Sequence, residues 1–119
     1  MEKTQKKTQS EGDVSCCFPE RIQQLPPFHC RFDAYQLDAE NCRVLFAVYP
    51  AGSDIEPHTH DTENWGVVTK GEMILTVEGE EKTYRPGDWY HVPAMAEHSA
   101  RCVVHTEQIE FWFIPAPSE

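Results

Sequence analysis

Proline and glycine interrupt this sequence at short intervals, and this punctuation restricts the chain to short extended segments. Nine prolines and six glycines occur in 119 residues, and the runs between them are rich in β-branched and aromatic residues. Such runs, at residues 43–49, 65–69, 73–77 and 109–114, are typical of strands. Beyond the first twenty residues, no apolar period of 3.6 persists for more than two turns. We therefore predict an all-β sandwich or barrel.

Two turns that contain glycine predict hairpins. Gly71 separates residues 65–69 from 73–77, and Gly79 separates 73–77 from a strand at 82–85. A short loop with glycine at a turn position commonly joins two antiparallel strands. Both turns are therefore expected to connect paired neighbours.

The chain divides into an arm and one domain. Residues 1–20 contain few apolar residues and no periodicity, so they predict a short, poorly structured N-terminal arm or tail. Residues 21–119 are long enough for one modest core. The excess of 20 Asp+Glu over 10 Lys+Arg argues against nucleic acid and anionic membranes as partners. Neither a signal peptide nor a membrane span is recognisable, which favours a cytoplasmic protein.

The five cysteines do not form a zinc-knuckle pattern. None of them makes a C-x-x-C pair, and Cys16 and Cys17 are adjacent. We interpret all five as reduced thiols of a cytoplasmic protein. A redox role, or a role as extra metal ligands, is the alternative for Cys16 and Cys17.

Three histidines are the candidate metal ligands. His58 and His60 are one residue apart, so on a strand their imidazoles project from the same face. His98 follows downstream, and a second strand must bring it to the same place. Imidazoles without a thiolate suit Zn, Fe, Ni, Mn or Cu better than Ca or Mg. The alternative is three core histidines with hydrogen-bonded rings and no metal.

The spacing of these residues resembles the two motifs of a small single-domain cupin of the RmlC-like, metal-binding kind. The first motif comprises Gly52, His58, His60, Asn64 and Gly71, and the second comprises Gly87, Pro93 and His98. The resemblance implies a double-stranded β-helix, or jelly-roll, cupin barrel over residues 21–119. It also implies a divalent transition metal bound by His58, His60 and His98.

The sequence departs from the cupin pattern at two positions. The fourth ligand of the family is usually Glu, but here it is Asn64, a weak neutral ligand that could instead hydrogen-bond a metal-bound water. Glu63 is adjacent, and strict alternation points it away from the pocket unless a bulge turns it inward. Met95 replaces a glycine of the second motif, which predicts a negative φ there or a shifted loop.

Two functions from different classes fit this site. The first is a small metalloenzyme, such as a dioxygenase, isomerase or lyase, acting on an oxo-acid, sugar-like or aromatic molecule, with Glu63 as a candidate general base. The second is a non-catalytic small-ligand-binding or sensor module. In either case the partner is a small molecule. Phe111 and Phe113 share a strand face that, if it points outward, would suit a homodimer interface.

Overall fold

The described residues form ten strands and one short helix. The structure is a computed structural model that describes residues 16–29 and 32–113. The helix, α1, spans Glu20–Gln23. The strands are β1 (Pro27–His29), β2 (Asp33–Ala39), β3 (Cys42–Tyr49), β4 (Ser53–His58), β5 (Glu63–Lys70), β6 (Met73–Val77), β7 (Glu80–Tyr84), β8 (Trp89–Val92), β9 (His98–Cys102) and β10 (Thr106–Phe113).

The strands make two sheets in which every described pairing is antiparallel. One sheet has the order β4-β9-β6-β7, and the other has the order β1-β2-β3-β10-β5-β8. Consecutive strands alternate between the sheets at several points, which is the jelly-roll arrangement. The predicted all-β, double-stranded β-helix is therefore confirmed.

Alternating residues of each strand fill the space between the sheets. On β3, for example, Leu45, Ala47 and Tyr49 are buried, whereas Val44, Phe46 and Val48 face outward. This period of two is what a strand with one buried face requires. Apart from Phe18, the buried hydrophobic residues form one cluster, made of Ala34, Leu45, Ala47, Tyr49, Ile55, Val68, Met73, Leu75, Tyr90, Val92, Ala96 and Cys102.

The described part of the predicted arm packs on the outside of the six-stranded sheet. Phe18 is buried, and its ring meets Phe46 edge-on with centroids 5.7 Å apart. The Cys17 backbone N–H donates to the Glu107 carboxylate at 2.8 Å, and this carboxylate also accepts a hydrogen bond from His105 Nε2. The buried Glu107 carboxyl group therefore has hydrogen-bond donors where the arm covers it. Residues 1–15 of the predicted arm lie outside the described residues.

Only one of the two predicted glycine hairpins exists. The Gly79 turn joins β6 to β7, which pair with each other. The prediction for Gly71 is wrong: β5 pairs with β10 and β8, whereas β6 pairs with β9 and β7. The Gly71 turn carries the chain from one sheet to the other. Thr106, at the start of β10, fixes this corner because its hydroxyl donates to the Glu72 carbonyl and accepts from the Glu72 N–H.

The described cysteines are not cross-linked. Cys16, Cys17, Cys42 and Cys102 are free thiols, and Cys102 is buried in the core. Cys30 lies outside the described residues. Within residues 16–29 and 32–113, we find no helix with the length and hydrophobicity needed to cross a membrane.

Comparing two glycine turns tests the sheet-crossing corner. Gly71 and Gly79 both have positive φ, but a Cβ on Gly71 would lie 2.2 Å from the His105 carbonyl oxygen, whereas one on Gly79 meets nothing within 4 Å. Gly79→Ala should lower the free energy of unfolding by about 1 kcal/mol, the usual cost of left-handed backbone. Gly71→Ala should cost at least about 2 kcal/mol more, because backbone must move. Urea denaturation measures both, and equal losses would contradict this account of the corner.

Candidate metal centre

Pairing of β4 with β9 brings the three candidate histidines together. His58 ends β4 and is the Cα partner of His98, which begins β9. His60 follows β4 by two residues. The ring centroids are 4.3 Å apart for His58 and His98, 4.5 Å for His58 and His60, and 5.1 Å for His60 and His98. Histidines that are distant in sequence therefore form one cluster, as the sequence predicts.

Backbone carbonyls set the tautomers of two of these imidazoles. His58 Nδ1 is 2.8 Å from the Glu56 carbonyl oxygen, and His98 Nδ1 is 2.9 Å from that of Ala96. A carbonyl oxygen only accepts, so each Nδ1 carries the proton and each Nε2 presents a lone pair. A hydrogen bond of this kind is the usual orienting contact of a metal-binding histidine.

The ligand atoms of the cluster are close enough to share an ion. One ligand nitrogen from each histidine lies within 4.8 Å of the others. Nitrogens bound at about 2.1 Å to one ion stand at most about 4.2 Å apart, so small side-chain rotations would bring all three into range. His58 Nε2 and His60 Nε2 are already only 2.9 Å apart; because the His58 nitrogen presents a lone pair, His60 Nε2 donates the proton, and metal binding would displace it. The donor set fits a divalent transition metal.

A strained turn positions two of the histidines. Met95 has φ +68°, in the left-handed region where the family glycine would sit, so the predicted negative φ is wrong. The Met95 N–H donates to the His60 carbonyl oxygen at 2.6 Å. The next residue, Ala96, accepts the His98 Nδ1 hydrogen bond. The turn keeps its shape without glycine because these contacts offset the strain of one left-handed residue, which is about 1–2 kcal/mol.

Asn64 lies on the inner face, as alternation along β5 predicts. It is buried and lines the same cavity as the histidines. Its Nδ2 donates to the carbonyls of Trp65 and Phe111, at 3.2 and 3.3 Å. Because the sheet uses the amide nitrogen, Oδ1 is the atom left to serve a fourth ligand position.

The structure does not bring Glu63 to the histidines. Its carboxylate lies on the outer face, where it accepts hydrogen bonds from Trp65 Nε1 at 2.9 Å and His91 Nε2 at 2.7 Å. The hydrogen bond from Trp65, and to a smaller extent the one from His91, lowers the pKa of Glu63. No bulge turns the residue inward, because Glu63 and Asn64 keep regular partners on β10. A catalytic role for Glu63 therefore has no support from its position.

The extra-ligand alternative for Cys16 and Cys17 also lacks support. The cluster of ligand-type side chains around His98 contains His58 and His60 and neither cysteine. Cys17 lies on the outside of the six-stranded sheet, where Lys70 Nζ is 3.4 Å from its sulfur.

A buried carboxyl group, Glu110, is a candidate functional residue that sequence reasoning missed. It is 1% exposed, on the inner face of β10, and lines the histidine cavity. It accepts hydrogen bonds from Tyr49 Oη at 2.5 Å, Trp112 Nε1 at 3.0 Å and Gln108 Nε2 at 3.2 Å. Burial outweighs these bonds and raises the pKa of Glu110 to about 7. The sequence signal was the alternation of Gln108, Glu110 and Trp112, which puts all three on one face.

The inner face of β10 connects Glu110 to the histidines. Trp112 donates to Glu110, and its ring meets His60 edge-on with centroids 4.7 Å apart. The cavity has a volume of about 380 Å³, within the range of small-molecule sites. Its walls are mostly apolar, and include Phe28, Phe32, Leu45, Ile55, Met73, Leu75 and Val92.

Comparisons with known proteins agree with this description. A structure of an RmlC-like cupin from Shewanella frigidimarina is similar with a TM-score of 0.71 at 20% identity, over 78% of this chain and 86% of that one. The structure of KdgF from Halomonas sp. is similar with a TM-score of 0.70 at 17% identity, over 79% of this chain and 92% of that one. A structure from a study of the DMSP lyases RdDddP and RnDddQII is similar with a TM-score of 0.63 at 21% identity, over 70% of this chain and 47% of that one. At these identities the likeness concerns the fold.

The family assignment follows from the sequence match. The search of curated proteins finds no match to this sequence. The family model described as "Cupin domain" matches residues 45–114, more than half of the chain, and includes His58, His60 and His98. The chain therefore belongs to the cupin domain family.

Proposed function

We propose that this protein is a metal-dependent cupin enzyme acting on a small organic molecule, with a divalent transition metal held by His58, His60 and His98. The observation that carries the proposal is a single cavity that contains both the imidazole cluster and the buried Glu110 carboxyl group. When bound, an ion of this kind acts as a Lewis acid toward a substrate oxygen. Zn, Fe, Ni, Mn and Cu all fit the donor set.

In this proposal Glu110 is the general acid or base. With a pKa of about 7, its carboxyl group is present in both protonation states at neutral pH. It replaces Glu63, which points to the outer face, in that role. Among the dioxygenase, isomerase and lyase classes, we favour an isomerase or lyase reaction, since both move a proton near a polarised carbonyl.

Asn64 is proposed to serve the fourth position around the ion. Its Nδ2 is held by two backbone carbonyls, so Oδ1 has a fixed direction. A neutral amide oxygen binds metal weakly, and we expect it to accept a hydrogen bond from a water or substrate at that position. The free thiols of Cys16, Cys17, Cys42 and Cys102 support a reducing, cytoplasmic location.

We also propose that two copies associate through an outer aromatic patch, defined as Trp65, Trp89, Phe111 and Phe113. These side chains are neighbours on the outward face of β10, β5 and β8. Trp89 is 56% exposed and stacks on Phe111 with centroids 5.9 Å apart. A group of exposed aromatic side chains on one face is typical of a protein interface.

Metal binding provides the first test. Adding Zn²⁺, Fe²⁺, Ni²⁺, Mn²⁺ or Cu²⁺ singly, at 100 times its Kd, should raise the free energy of unfolding by about 2.7 kcal/mol for at least one ion. His98→Ala should abolish the gain because one of three ligands is lost. His91→Ala is the matched control, since this imidazole stacks on Trp65 outside the cavity and should leave the gain intact. A full gain in His98→Ala, or no gain with any ion, would contradict the proposed site.

Turnover tests the catalytic part of the same proposal. The metal-loaded protein should convert a member of a panel of small oxo-acids and catechol-like compounds, and both His98→Ala and Glu110→Gln should lose that activity. If ligands bind at micromolar concentrations but none is converted, the protein is instead a non-catalytic binding or sensor cupin.

The protonation of Glu110 predicts a pH-dependent stability difference. A buried carboxyl group whose pKa is raised stabilises the fold fully below its unfolded value of 4.5 and loses that contribution as pH rises through about 7. Relative to Glu110→Gln, the metal-free wild type should therefore lose about 3 kcal/mol between pH 4.5 and pH 8. Nearby Tyr49, Tyr90 and Cys102 have raised pKa values and stay protonated over most of this range. Denaturation at both pH values measures the difference, and a constant difference would refute it.

Sedimentation velocity tests the dimer. The wild type should sediment at twice the chain mass of 13.7 kDa, and Trp89→Glu should sediment as a monomer. Val103→Glu is the control, because it adds the same charge at a residue that is 67% exposed and outside the patch. A wild-type monomer, or a dimer that survives Trp89→Glu, would rule out this interface.

A further inference from the structure

One buried side chain in the cavity has an unused hydrogen-bond acceptor. Gln108 is 1% exposed, and its Oε1 has no hydrogen-bond partner among the described residues. Buried polar atoms are nearly always partnered, so an orphaned one in a cavity indicates a group that the cavity receives. The cavity is lined by Gln108 together with the histidines.

The orientation of the Gln108 amide is fixed by its neighbour. Nε2 donates to Glu110 Oε2, and the same oxygen accepts from Tyr49 Oη. When Glu110 is ionised, reversing the amide would place Oε1 against a carboxylate oxygen, which is repulsive and would leave a donor unused. Oε1 is therefore the end that remains available.

The rest of the polar cluster is already satisfied. Glu110 accepts three hydrogen bonds, from Tyr49, Gln108 and Trp112. Glu110 holds the Gln108 amide in place, and the one acceptor of the cluster left without a donor is Gln108 Oε1. A bound molecule that completes the cluster must therefore bring an O–H or N–H group.

Gln108 lies at a distance from the histidines. Gln108 pairs across the sheet with Ala47 and Val68, both fully buried. Trp112, which contacts His60, is four residues further along β10, or roughly 13 Å at the usual rise per residue. Apolar walls, including Leu45 and Leu75, line the same cavity.

We propose that Gln108 Oε1 recognises a hydroxyl or amino group at the end of the ligand remote from the metal. The ligand class is a small molecule with a metal-binding oxygen at one end, an apolar or aromatic middle, and an O–H or N–H donor at the other. The metal-binding end rests on the proposed function above. The donor end rests on the Gln108 cluster alone.

A paired fragment library tests the donor end. Each pair consists of a small carboxylate carrying a remote hydroxyl or amino group and its parent without that group, such as 4-hydroxybenzoate with benzoate and 6-hydroxyhexanoate with hexanoate. Dissociation constants are measured by ligand-detected NMR on the metal-loaded protein. In at least one pair, the donor-bearing member should bind at least about tenfold more tightly to the wild type.

Substitution then assigns that preference to Gln108. Gln108→Met should bring the preference to near unity while leaving parent binding within about twofold. Gln108→Asn, which retracts the amide by one methylene, should give an intermediate preference and provides the same test if the methionine variant does not fold. Gln36→Met, at a glutamine outside the cavity that bonds to Asp38, should change nothing.

The outcomes separate this inference from the proposed function. If no pair shows a preference, Gln108 Oε1 binds only water. If the preference is unchanged in Gln108→Met, another group binds the donor. Either result overturns the inference. His98→Ala should weaken both members of a pair equally and keep their ratio. If it weakens neither, the metal role fails while recognition by Gln108 stands.

Discussion

The antiparallel pairing of β4 with β9 is the contact on which the site depends. It sets His98 opposite His58 and places the imidazole of a distant segment beside the His58–His60 pair. A register slip of one residue would turn His98 to the other face of the sheet and remove it from the cluster. The turn at Met95 adds a second constraint, because its N–H holds His60 and the neighbouring Ala96 carbonyl holds His98. Two independent backbone contacts thus fix one constellation of side chains.

Strand β10 contributes different side chains to the inner and the outer surface of the barrel. Its inner face carries Gln108, Glu110 and Trp112, which are connected to each other and, through Trp112, reach His60. Its outer face carries Phe111 and Phe113 of the aromatic patch. The polar Gln108 and Glu110 inside, with two phenylalanines outside, reverse the usual pattern of a sheet. Such a reversal destabilises a barrel unless the inner groups are satisfied, and a ligand cavity is where they can be satisfied by something that binds.

Most of the fold followed from local rules in the sequence. The runs between prolines and glycines predicted strands close to the observed β3, β5, β6, β7 and β10, and the resemblance to the cupin motifs predicted that His98 would converge with His58 and His60. Alternation along β5 predicted that Asn64 points inward and Glu63 outward. These predictions succeeded because a period of two is a property of the strand itself.

Other features depended on contacts between strands. Period-two alternation has two phases, and nothing in the segment Thr106–Phe113 says which phase faces inward, so Glu110 escaped notice. The Gly71 turn looks like a hairpin in sequence, but the Thr106 hydroxyl at the far end of the chain makes it a crossing between sheets. The left-handed Met95 was equally hidden, because the stabilising partner is the His60 carbonyl.

X-ray absorption at the metal edge of the zinc-loaded protein tests the central claim that three imidazoles hold one ion inside the barrel. The account predicts three imidazole nitrogens at about 2.0–2.1 Å, with any further scatterer being oxygen and none being sulfur. Two or fewer imidazoles, or a sulfur scatterer at about 2.3 Å, would contradict it.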